Sequence, residues 1–267
     1  MPENTTMNET TIKRLGDRLY DALRAQKSIP PLSDEFSELT INDAYYISLQ
    51  MLRRREADGE KVVGKKIGVT SAPVQEMLGV FQPDFGFLTD VMEVANGGEI
   101  PIAGHLIQPR AEAEIAFKLK KDLKGPGVTE QDVLDATDLI FPCFEIVDSR
   151  IDNWKITITD TVADNASCGV FVLGDKGVDP RDFDLPNLTA VVKKNGEFLS
   201  EGKGSAVQGN PLTAVAWLAN TLGEFGIPFN AGEVILSGSL VPLEPMVAGD
   251  HVSMELSGIG SCECRFV

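Results

Sequence analysis

The stretch 108–117 contains two glutamates separated by one residue, Glu112 and Glu114. In a β-strand, residues two apart point to the same face, so the two carboxylates would lie side by side. The opposite face would carry apolar residues typical of a core: Ala113, Ile115, Phe117 and Leu119. Adjacent carboxylates repel one another unless a proton or a cation lies between them. Oxygen-only ligands suit a hard ion such as Mg²⁺ or Mn²⁺ better than zinc, so this pair is a candidate part of a metal site.

A third carboxylate on a neighbouring strand would complete such a site and leave coordination positions open. Glu145 is a candidate, since it lies among apolar residues in the stretch 142–147. Spacing alone does not show that these glutamates bind a metal, because a solvated strand face is the commoner explanation for two glutamates at this spacing. A buried Glu145 is equally ambiguous when it is taken alone.

The first sixty residues are predicted to be largely helical. Apolar residues recur at helical spacing over 12–23, with Gly16 as the weak point. Thr40 is a predicted N-cap of a second helix, and Asp43 is placed to support its first turn. We expect that helix to stop at Gly59.

From residue 61 onward the pattern changes to short β-rich segments between glycines. Asn195 and Gly196 predict a hairpin, because Asn-Gly accepts the positive φ angles of a type I′ turn. Asn210 and Pro211 predict the start of a helix. The clearest strand candidates are 62–69, 107–119 and 144–147.

No internal repeat, low-complexity run or long linker interrupts the chain. The sequence therefore predicts an α+β protein, with a small helical N-terminal region over 1–60 and one β-rich catalytic domain over 61–267. A chain of 267 residues is long enough to bury a substantial core.

The charge balance disfavours two classes of partner. The net charge of −16, from 24 Lys plus Arg and 40 Asp plus Glu, repels nucleic acid and anionic membranes. It does not repel a small anion whose pocket is locally positive. No stretch approaches the ~20 apolar residues of a membrane span, and the first residues lack a secretory signal, so we expect a cytoplasmic protein. The cysteines, which form no CxxC pair, are predicted to be reduced and structural: Cys143, Cys168, Cys262 and Cys264.

Six short blocks occur in order along most of the chain. They are 64–71 (GKKIGVTS), 82–86 (QPDFG), 108–116 (QPRAEAEIA), 147–151 (VDSRI), 160–169 (DTVADNASCG) and 236–240 (LSGSL). Each block is weak alone, but the ordered set is specific. On these blocks, and from residue 15 to residue 267, the sequence resembles the 2-hydroxypenta-2,4-dienoate hydratases (2-oxopent-4-enoate hydratases) of aromatic meta-cleavage pathways, within the fumarylacetoacetate hydrolase superfamily.

The resemblance implies Mg²⁺ or Mn²⁺ bound at positions that fall on Glu112, Glu114 and Glu145. It also implies a mixed β-roll core, a homo-oligomer and a capacity to associate with the decarboxylase of the same pathway. The implied substrate is a small 2-hydroxy-dienoate. Its 2-oxo form would chelate the metal through carboxylate and 2-oxo oxygens and take up water at C4 to give 4-hydroxy-2-oxopentanoate.

Two residues are expected to take part in that reaction. Lys66 is expected near the substrate carboxylate or enolate, and burial among apolar neighbours would lower its pKa toward a useful range. A solvated strand lysine is the alternative, and Lys65 should face the other way by strand alternation. Asp84, in the turn-like stretch 83–86, is expected to position or activate water, with turn capping as an equal alternative.

Five further residues are expected around the pocket. Asp164, Asn165 and Ser167 would supply hydrogen bonds, although helix capping explains Asp164 or Asn165 nearly as well. Ser237 and Ser239, in a glycine-containing loop, would hold the carboxylate.

Three rival functions remain. A 4-oxalocrotonate (2-oxo-3-hexenedioate) decarboxylase would use the same three carboxylates, and the blocks at 82–86 and 240–245 favour the hydratase over it. A hydrolase that cleaves a C–C bond in a diketo acid is disfavoured, because no His–Glu pair that activates water is evident. A catalytically inactive partner subunit is disfavoured by the joint presence of Lys66 and the three glutamates.

Overall fold

The computed structural model of the chain describes residues 5–71, 75 and 83–267. Gln82, part of one of the six blocks, lies outside the described residues. The helices with described bounds are α1 (Glu9–Ala25), α2 (Leu32–Glu35), α3 (Ile41–Ala57), α4 (Glu130–Ala136), α5 (Ile158–Ala163) and α6 (Pro211–Glu224). The described strands are β1 (Val62–Gly68), β2 (Asp84–Thr89), β3 (Glu93–Val94), β4 (Glu99–Ile100), β5 (Pro109–Leu119), β6 (Thr137–Asp148), β7 (Cys168–Leu173), β8 (Thr189–Lys194), β9 (Glu197–Lys203), β10 (Val234–Leu236), β11 (Glu244–Pro245), β12 (His251–Leu256) and β13 (Gly260–Phe266).

The two long N-terminal helices, α1 and α3, pack against each other. A Cβ atom added at Gly16 would lie 2.6 Å from the Cβ of Gln50, so this glycine permits the close approach of α3. The predicted start of α3 is confirmed, because the Thr40 hydroxyl accepts from the Asp43 amide and the Asp43 carboxylate accepts from the Thr40 amide, both at 3.1 Å. Such a capping box satisfies amide groups that the first helical turn leaves free.

The described strands form two mixed sheets. The larger has the order β2–β1–β10–β5–β6–β7–β3, with β11 also pairing with β5. The smaller has the order β4–β13–β12–β8–β9. The predicted β8–β9 hairpin is confirmed, with φ of 54° at Asn195 and 85° at Gly196. The predicted helix at Asn210 is also confirmed, since its side chain accepts from the Leu212 amide at the start of α6.

One continuous apolar cluster joins the helices to both sheets. It contains Leu15 of α1, Ile47 of α3, Ile115 of β5 and Val252 of β12. The predicted α+β fold with N-terminal helices is therefore confirmed. The domain boundary near residue 60 stays a prediction, and the helical segment shares its core with the β-rich part.

The predicted turn at 83–86 is wrong, because Asp84 begins β2. This strand pairs antiparallel with β1, with Asp84 opposite Gly68 and Gly86 opposite Lys66. The ladder supplies the backbone hydrogen bonds that a turn would otherwise make. A Cβ at Gly86 would lie 2.3 Å from the carbonyl oxygen of Asn165, so here glycine serves close packing rather than a turn.

The structure also shows the surroundings of the four cysteines and the lengths of the described helices. All four cysteines are buried and free, as expected for structural thiols. Among the described helices, none has the length and apolar character needed to cross a bilayer.

Candidate metal centre

The pairing of β5 with β6 brings three carboxylates together. In this antiparallel register Glu112 lies directly opposite Glu145, and Glu114 lies two residues further along β5. One oxygen from each of Glu112, Glu114 and Glu145 lies within 4.8 Å of the others. We call these three residues the acidic triad. The neighbouring strand thus supplies the third carboxylate, as the resemblance implied.

Several oxygens of the acidic triad have no donor. Oε2 of Glu114 accepts from the Gly238 amide at 2.8 Å, which fixes the carboxylate. Oε1 of Glu114 and both carboxylate oxygens of Glu145 are buried and have no hydrogen-bond partner in the described residues. An unsatisfied buried carboxylate is costly. Three carboxylates that converge within 4.8 Å and keep oxygens without a hydrogen-bond donor of good geometry fit a hard divalent cation.

Burial and mutual repulsion raise the pKa values of carboxylates in the acidic triad. Burial and the charge of Glu145 raise the pKa of Glu112 to about 8. Burial, Glu145 and Glu112 also raise the pKa of Glu114 well above its ordinary value. A bound cation inverts this logic, since it favours the ionised carboxylates.

Lys66 reaches the acidic triad from β1. Its Nζ lies 3.2 Å from Oε1 of Glu145, outside hydrogen-bonding geometry, and the residue is only 2 % exposed. Burial by itself lowers the pKa of Lys66, but the charges of Glu145, Asp84 and Glu112 raise it above its ordinary value. The predicted lowering of this pKa is wrong, because the carboxylates outweigh desolvation.

The side chains of Asp84 and Lys66 both lie close to Gly68. A Cβ at Gly68 would lie 2.3 Å from Oδ1 of Asp84 and 3.4 Å from Nζ of Lys66. Oδ2 of Asp84 accepts from the Thr161 hydroxyl at 3.2 Å, whereas Oδ1 is buried without a described partner. Burial raises the pKa of Asp84, and Lys66 opposes that shift. Asp84 therefore has one oxygen free to accept a hydrogen bond.

Two cavities meet at Glu112. The larger, of about 400 Å³, contains most of the polar groups: Lys66, Asp84, Arg110, Glu112, Thr161 and Ser167. The smaller, of about 280 Å³, is more apolar and is lined by Ile67, Ala206, Leu240, Val241 and Pro242. Both cavities are also lined by Gly68, Val69 and Leu243.

Strained backbone borders the larger cavity. Non-glycine residues with left-handed φ line it at Val69 (55°), Asn153 (55°), Trp154 (57°), Ala166 (48°) and Ser167 (53°). Such conformations cost about 1–3 kcal/mol each and concentrate at functional sites. Their position beside the acidic triad supports a binding role for this cavity.

The predicted pocket serines lie in different surroundings. Ser167 lines the larger cavity and donates to Asp164 at 3.3 Å. Ser239 lines the smaller cavity and donates to the Val241 carbonyl at 2.7 Å. The Ser237 hydroxyl is buried without a described partner, next to the glycine that binds Glu114.

Asp164 and Asn165 line neither cavity in the described part of the chain. Oδ1 of Asp164 lies 2.5 Å from Nε of Arg150, and Oδ2 accepts from the Arg150 amide at 2.9 Å. The Asn165 side chain accepts from the Phe87 amide at 2.8 Å and donates to the Phe87 carbonyl at 3.0 Å. Both side chains therefore hold the walls of the site in place, and Asn165 fixes β2.

Several lining residues were not predicted from the sequence, among them Arg110, Trp154 and Thr161. Arg110 shares a strand face with Glu112, so alternation along β5 could have found it. Trp154 and Thr161 come from a distant loop and helix, and no local pattern places them there.

The chain is similar to proteins of known activity. Residues 61–267 match the family described as fumarylacetoacetate (FAA) hydrolase C-terminal. A 2-hydroxyhexa-2,4-dienoate hydratase from Comamonas testosteroni is 62% identical over 256 residues, covering 96% of this chain and 97% of that protein. A 2-hydroxypent-2,4-dienoate hydratase from Pseudomonas putida is 60% identical over 221 residues, covering 83% of this chain and all (100%) of that protein.

A solved structure is also similar over nearly the whole chain. It is a 4-oxalocrotonate decarboxylase from Pseudomonas putida G7, complexed with magnesium and adipate, at 38% identity and a TM-score of 0.96. The alignment covers 99% of this chain and 100% of that one. The fold expected from the resemblance is confirmed, and the chain belongs to the fumarylacetoacetate hydrolase family.

Proposed function

We propose that this protein is a divalent-metal-dependent hydratase. It converts 2-hydroxypenta-2,4-dienoate, through the 2-oxo-3-enoate, into 4-hydroxy-2-oxopentanoate. The observation that carries the proposal is the acidic triad, whose Glu112 lines a cavity together with Lys66 and Asp84. The identities of 62% and 60% with two dienoate hydratases support this reaction over others of the family.

The acidic triad would hold Mg²⁺ or Mn²⁺. Magnesium in the similar decarboxylase structure supports a divalent cation, and the all-oxygen donor set supports a hard one. A cation bound there supplies Lewis-acid polarisation of a 2-oxo acid. The Gly238 amide keeps Glu114 oriented, which is the usual role of an outer hydrogen bond to a metal ligand.

Lys66 provides positive charge beside the substrate oxygens. Its ammonium group lies 3.2 Å from Oε1 of Glu145 and lines the larger cavity, so as a cation it would stabilise a carboxylate or an enolate oxygen of the substrate. Burial strengthens this effect, because water does not screen the charge.

Asp84 positions the water that adds to the substrate. Its Oδ1 is free to accept a hydrogen bond, while Thr161 holds Oδ2 in place. The overall step places the hydroxyl of water at C4 of the 2-oxo-3-enoate and a hydrogen at C3. The dienol first gains a proton at C5 and loses its enol proton, so this isomerisation leaves the composition unchanged.

The roles of the residues around the cavity and the partners of the protein stay predictions. Ser167, Ser237 and Ser239 stay predicted substrate-binding residues. Asp164 and Asn165, which were also predicted to bind substrate, would instead act through the walls of the site, since Arg150 and Phe87 occupy their side chains. A homo-oligomer, association with the pathway decarboxylase and a cytoplasmic location also stay predictions.

The decarboxylase is the second candidate function. It is favoured by the TM-score of 0.96 with a solved 4-oxalocrotonate decarboxylase. Both reactions need a 2-oxo acid that accepts electrons, so the acidic triad serves either one.

Turnover distinguishes the two candidates. Purified protein is mixed with 2-hydroxypenta-2,4-dienoate generated in situ, with and without Mg²⁺ or Mn²⁺, and the loss of ultraviolet absorbance is followed while the product is identified by mass. Metal-dependent gain of one water, abolished in Glu112→Gln and retained in the exposed control Glu255→Gln, is the expected result. Release of CO₂ from 2-oxo-3-hexenedioate, without water gain by the dienoate, would assign the decarboxylase instead.

A further inference from the structure

The larger cavity contains a cation that the proposed reaction does not use. Arg110 is half-buried and lines this cavity together with Lys66 and Glu112. Within residues 5–71, 75 and 83–267, no carboxylate forms an ion pair with its guanidinium and no acceptor takes a hydrogen bond from it. The guanidinium lies over the Trp154 ring, whose centroid is 4.7 Å from the guanidinium carbon.

Two fully buried arginines of the chain, Arg55 and Arg150, differ from the half-buried Arg110. Nε of Arg55 lies 2.8 Å from Glu60, and Nε of Arg150 lies 2.5 Å from Asp164. Among the residues that the structure describes, Arg110 has no such partner, although the chain carries a net charge of −16. A guanidinium that faces a cavity with free donors is well matched to a carboxylate, which it can bind through two parallel hydrogen bonds.

Trp154 holds the guanidinium in a fixed place. The indole Nε1 donates to the Gln108 carbonyl at 3.0 Å, and the Gln108 side chain donates to the carbonyls of Ser149 and Ile151 at 2.8 and 2.5 Å. The ring is therefore tied, through Gln108, to the start of the loop that follows β6. Stacking occupies the face of the guanidinium and leaves the N–H donors in its plane available for a ligand.

The spacing suits a ligand that also contacts the acidic triad. Arg110 and Glu112 are two residues apart on β5 and share a face, which separates their backbones by about 6.6 Å. A small organic acid bound at the acidic triad can span that distance.

We propose that Arg110, held against Trp154, binds a carboxylate of the substrate, with Trp154 as its positioning residue. The inference rests on the proposed function in that the substrate is a 2-oxo acid. The carboxylate is either the C1 group beside the 2-oxo group or a second carboxylate at the distal end of a dicarboxylic substrate.

Binding of two unreactive analogues tests this assignment. 2-Oxopentanoate and 2-oxoadipate have no carbon–carbon double bond, so neither can add water. Isothermal titration of each into Mg²⁺-loaded protein compares the wild type with Arg110→Met and Arg110→Lys. Loss of one charge-assisted contact should weaken binding about 10- to 100-fold in Arg110→Met, and Arg110→Lys should recover part of that loss.

The two carboxylates give different results. Equal weakening of both analogues assigns Arg110 to the C1 carboxylate. Weakening of 2-oxoadipate alone assigns it to a distal carboxylate and makes dicarboxylic acids substrates of this site. Wild-type affinity of Arg110→Met for both analogues would overturn the proposal.

Controls separate recognition from damage to the site. Arg14→Met removes an arginine stacked on Phe36, at 5.6 Å and outside both cavities, and should bind both analogues like the wild type. The Mn²⁺ affinity of Arg110→Met should also be unchanged, and a loss there equal to the loss of analogue binding would overturn the assignment. A wild type that binds the analogues through Arg110 but hydrates no dienoate would refute the proposed function and leave this inference standing.

Discussion

Lys65 and Lys66 are neighbours on β1, equally buried at 2 % exposure, and face opposite sides of the strand as predicted. Lys65 is closed in by its partners: it forms an ion pair with Glu233, donates to the Pro228 carbonyl at 3.2 Å and lies over the Phe229 ring. Lys66 lies against Glu145 without a hydrogen bond and faces a cavity.

The pKa values of the two lysines are shifted in opposite directions. Burial lowers the pKa of Lys65, and Glu233 only partly opposes it. Several carboxylates raise the pKa of Lys66 despite burial. Burial of a charge is therefore a poor guide to function. What distinguishes the site is buried charge whose hydrogen bonds are incomplete.

Buried carboxylates also differ in whether their hydrogen bonds are complete. Asp43 accepts hydrogen bonds from Thr6, Met7 and Thr40, so it serves the fold. Glu145 has no hydrogen-bond partner on either oxygen in the described residues. The first kind of carboxylate should control stability, and the second should control binding.

The largest effect is expected for Glu114→Gln. Loss of one ligand of the acidic triad should reduce Mn²⁺ affinity and metal-dependent turnover by at least about 100-fold, since even outer-shell changes cost 10- to 100-fold. Without metal, the variant should melt no lower than the wild type, because it removes repulsion. Mn²⁺ titration and thermal unfolding measure the two quantities. Unchanged Mn²⁺ affinity would remove the acidic triad as the metal site.

Exchange of the two lysines for methionine should separate stability from activity. Lys65→Met leaves Glu233 buried without its cation and should lower the free energy of unfolding by about 3–5 kcal/mol, while folded protein keeps its turnover. Lys66→Met should abolish most turnover in protein that is still folded, and it should also lower stability, because Glu145 and Asp84 lose the cation that opposes their burial. Urea unfolding and kcat are measured on both.

A second change checks the cause of the Lys65 effect. Adding Glu233→Gln to Lys65→Met removes the uncompensated charge and should restore part of the lost stability. If the double variant is no more stable than Lys65→Met, the ion pair with Glu233 does not explain the effect.

Asp43→Asn should give a smaller, pH-dependent loss of stability. Burial alone would raise the pKa of Asp43, but hydrogen bonds from Thr40, Met7 and Thr6 lower it below 3.8. A lowered pKa in the folded state contributes stability above pH 3.8 that is lost as the pH falls through the folded-state pKa. Urea unfolding from pH 2 to pH 7 should therefore show a difference of about 2 kcal/mol near neutrality. That difference should shrink in acid, and a pH-independent gap would contradict the assignment.

The smallest effect is expected at the β8–β9 hairpin. Gly196 has φ of 85°, and a side chain in this conformation costs about 1–2 kcal/mol. Gly196→Ala should lower the melting temperature slightly and leave turnover unchanged, because the turn lies outside both cavities. A comparable loss of turnover would show that the hairpin is coupled to the site.

Local features were predictable because their causes lie within a few residues. The capping box at Thr40 and the Asn195–Gly196 turn are set by neighbouring hydrogen bonds and φ preferences. The turn predicted at Asp84 failed for the opposite reason, since pairing with β1 supplied the hydrogen bonds instead.

The spacing of Glu112 and Glu114 is enough to place both on one face of β5, because side-chain direction alternates along every strand. The folded chain was needed to show that Glu145 lies opposite Glu112, that Arg150 pairs with Asp164, and that the Arg110 guanidinium lies over the Trp154 ring. It also decided the sign of the Lys66 pKa shift, which sums the charges of residues far apart in the chain. Strand register and accumulated charge are long-range properties, and no local pattern contains them.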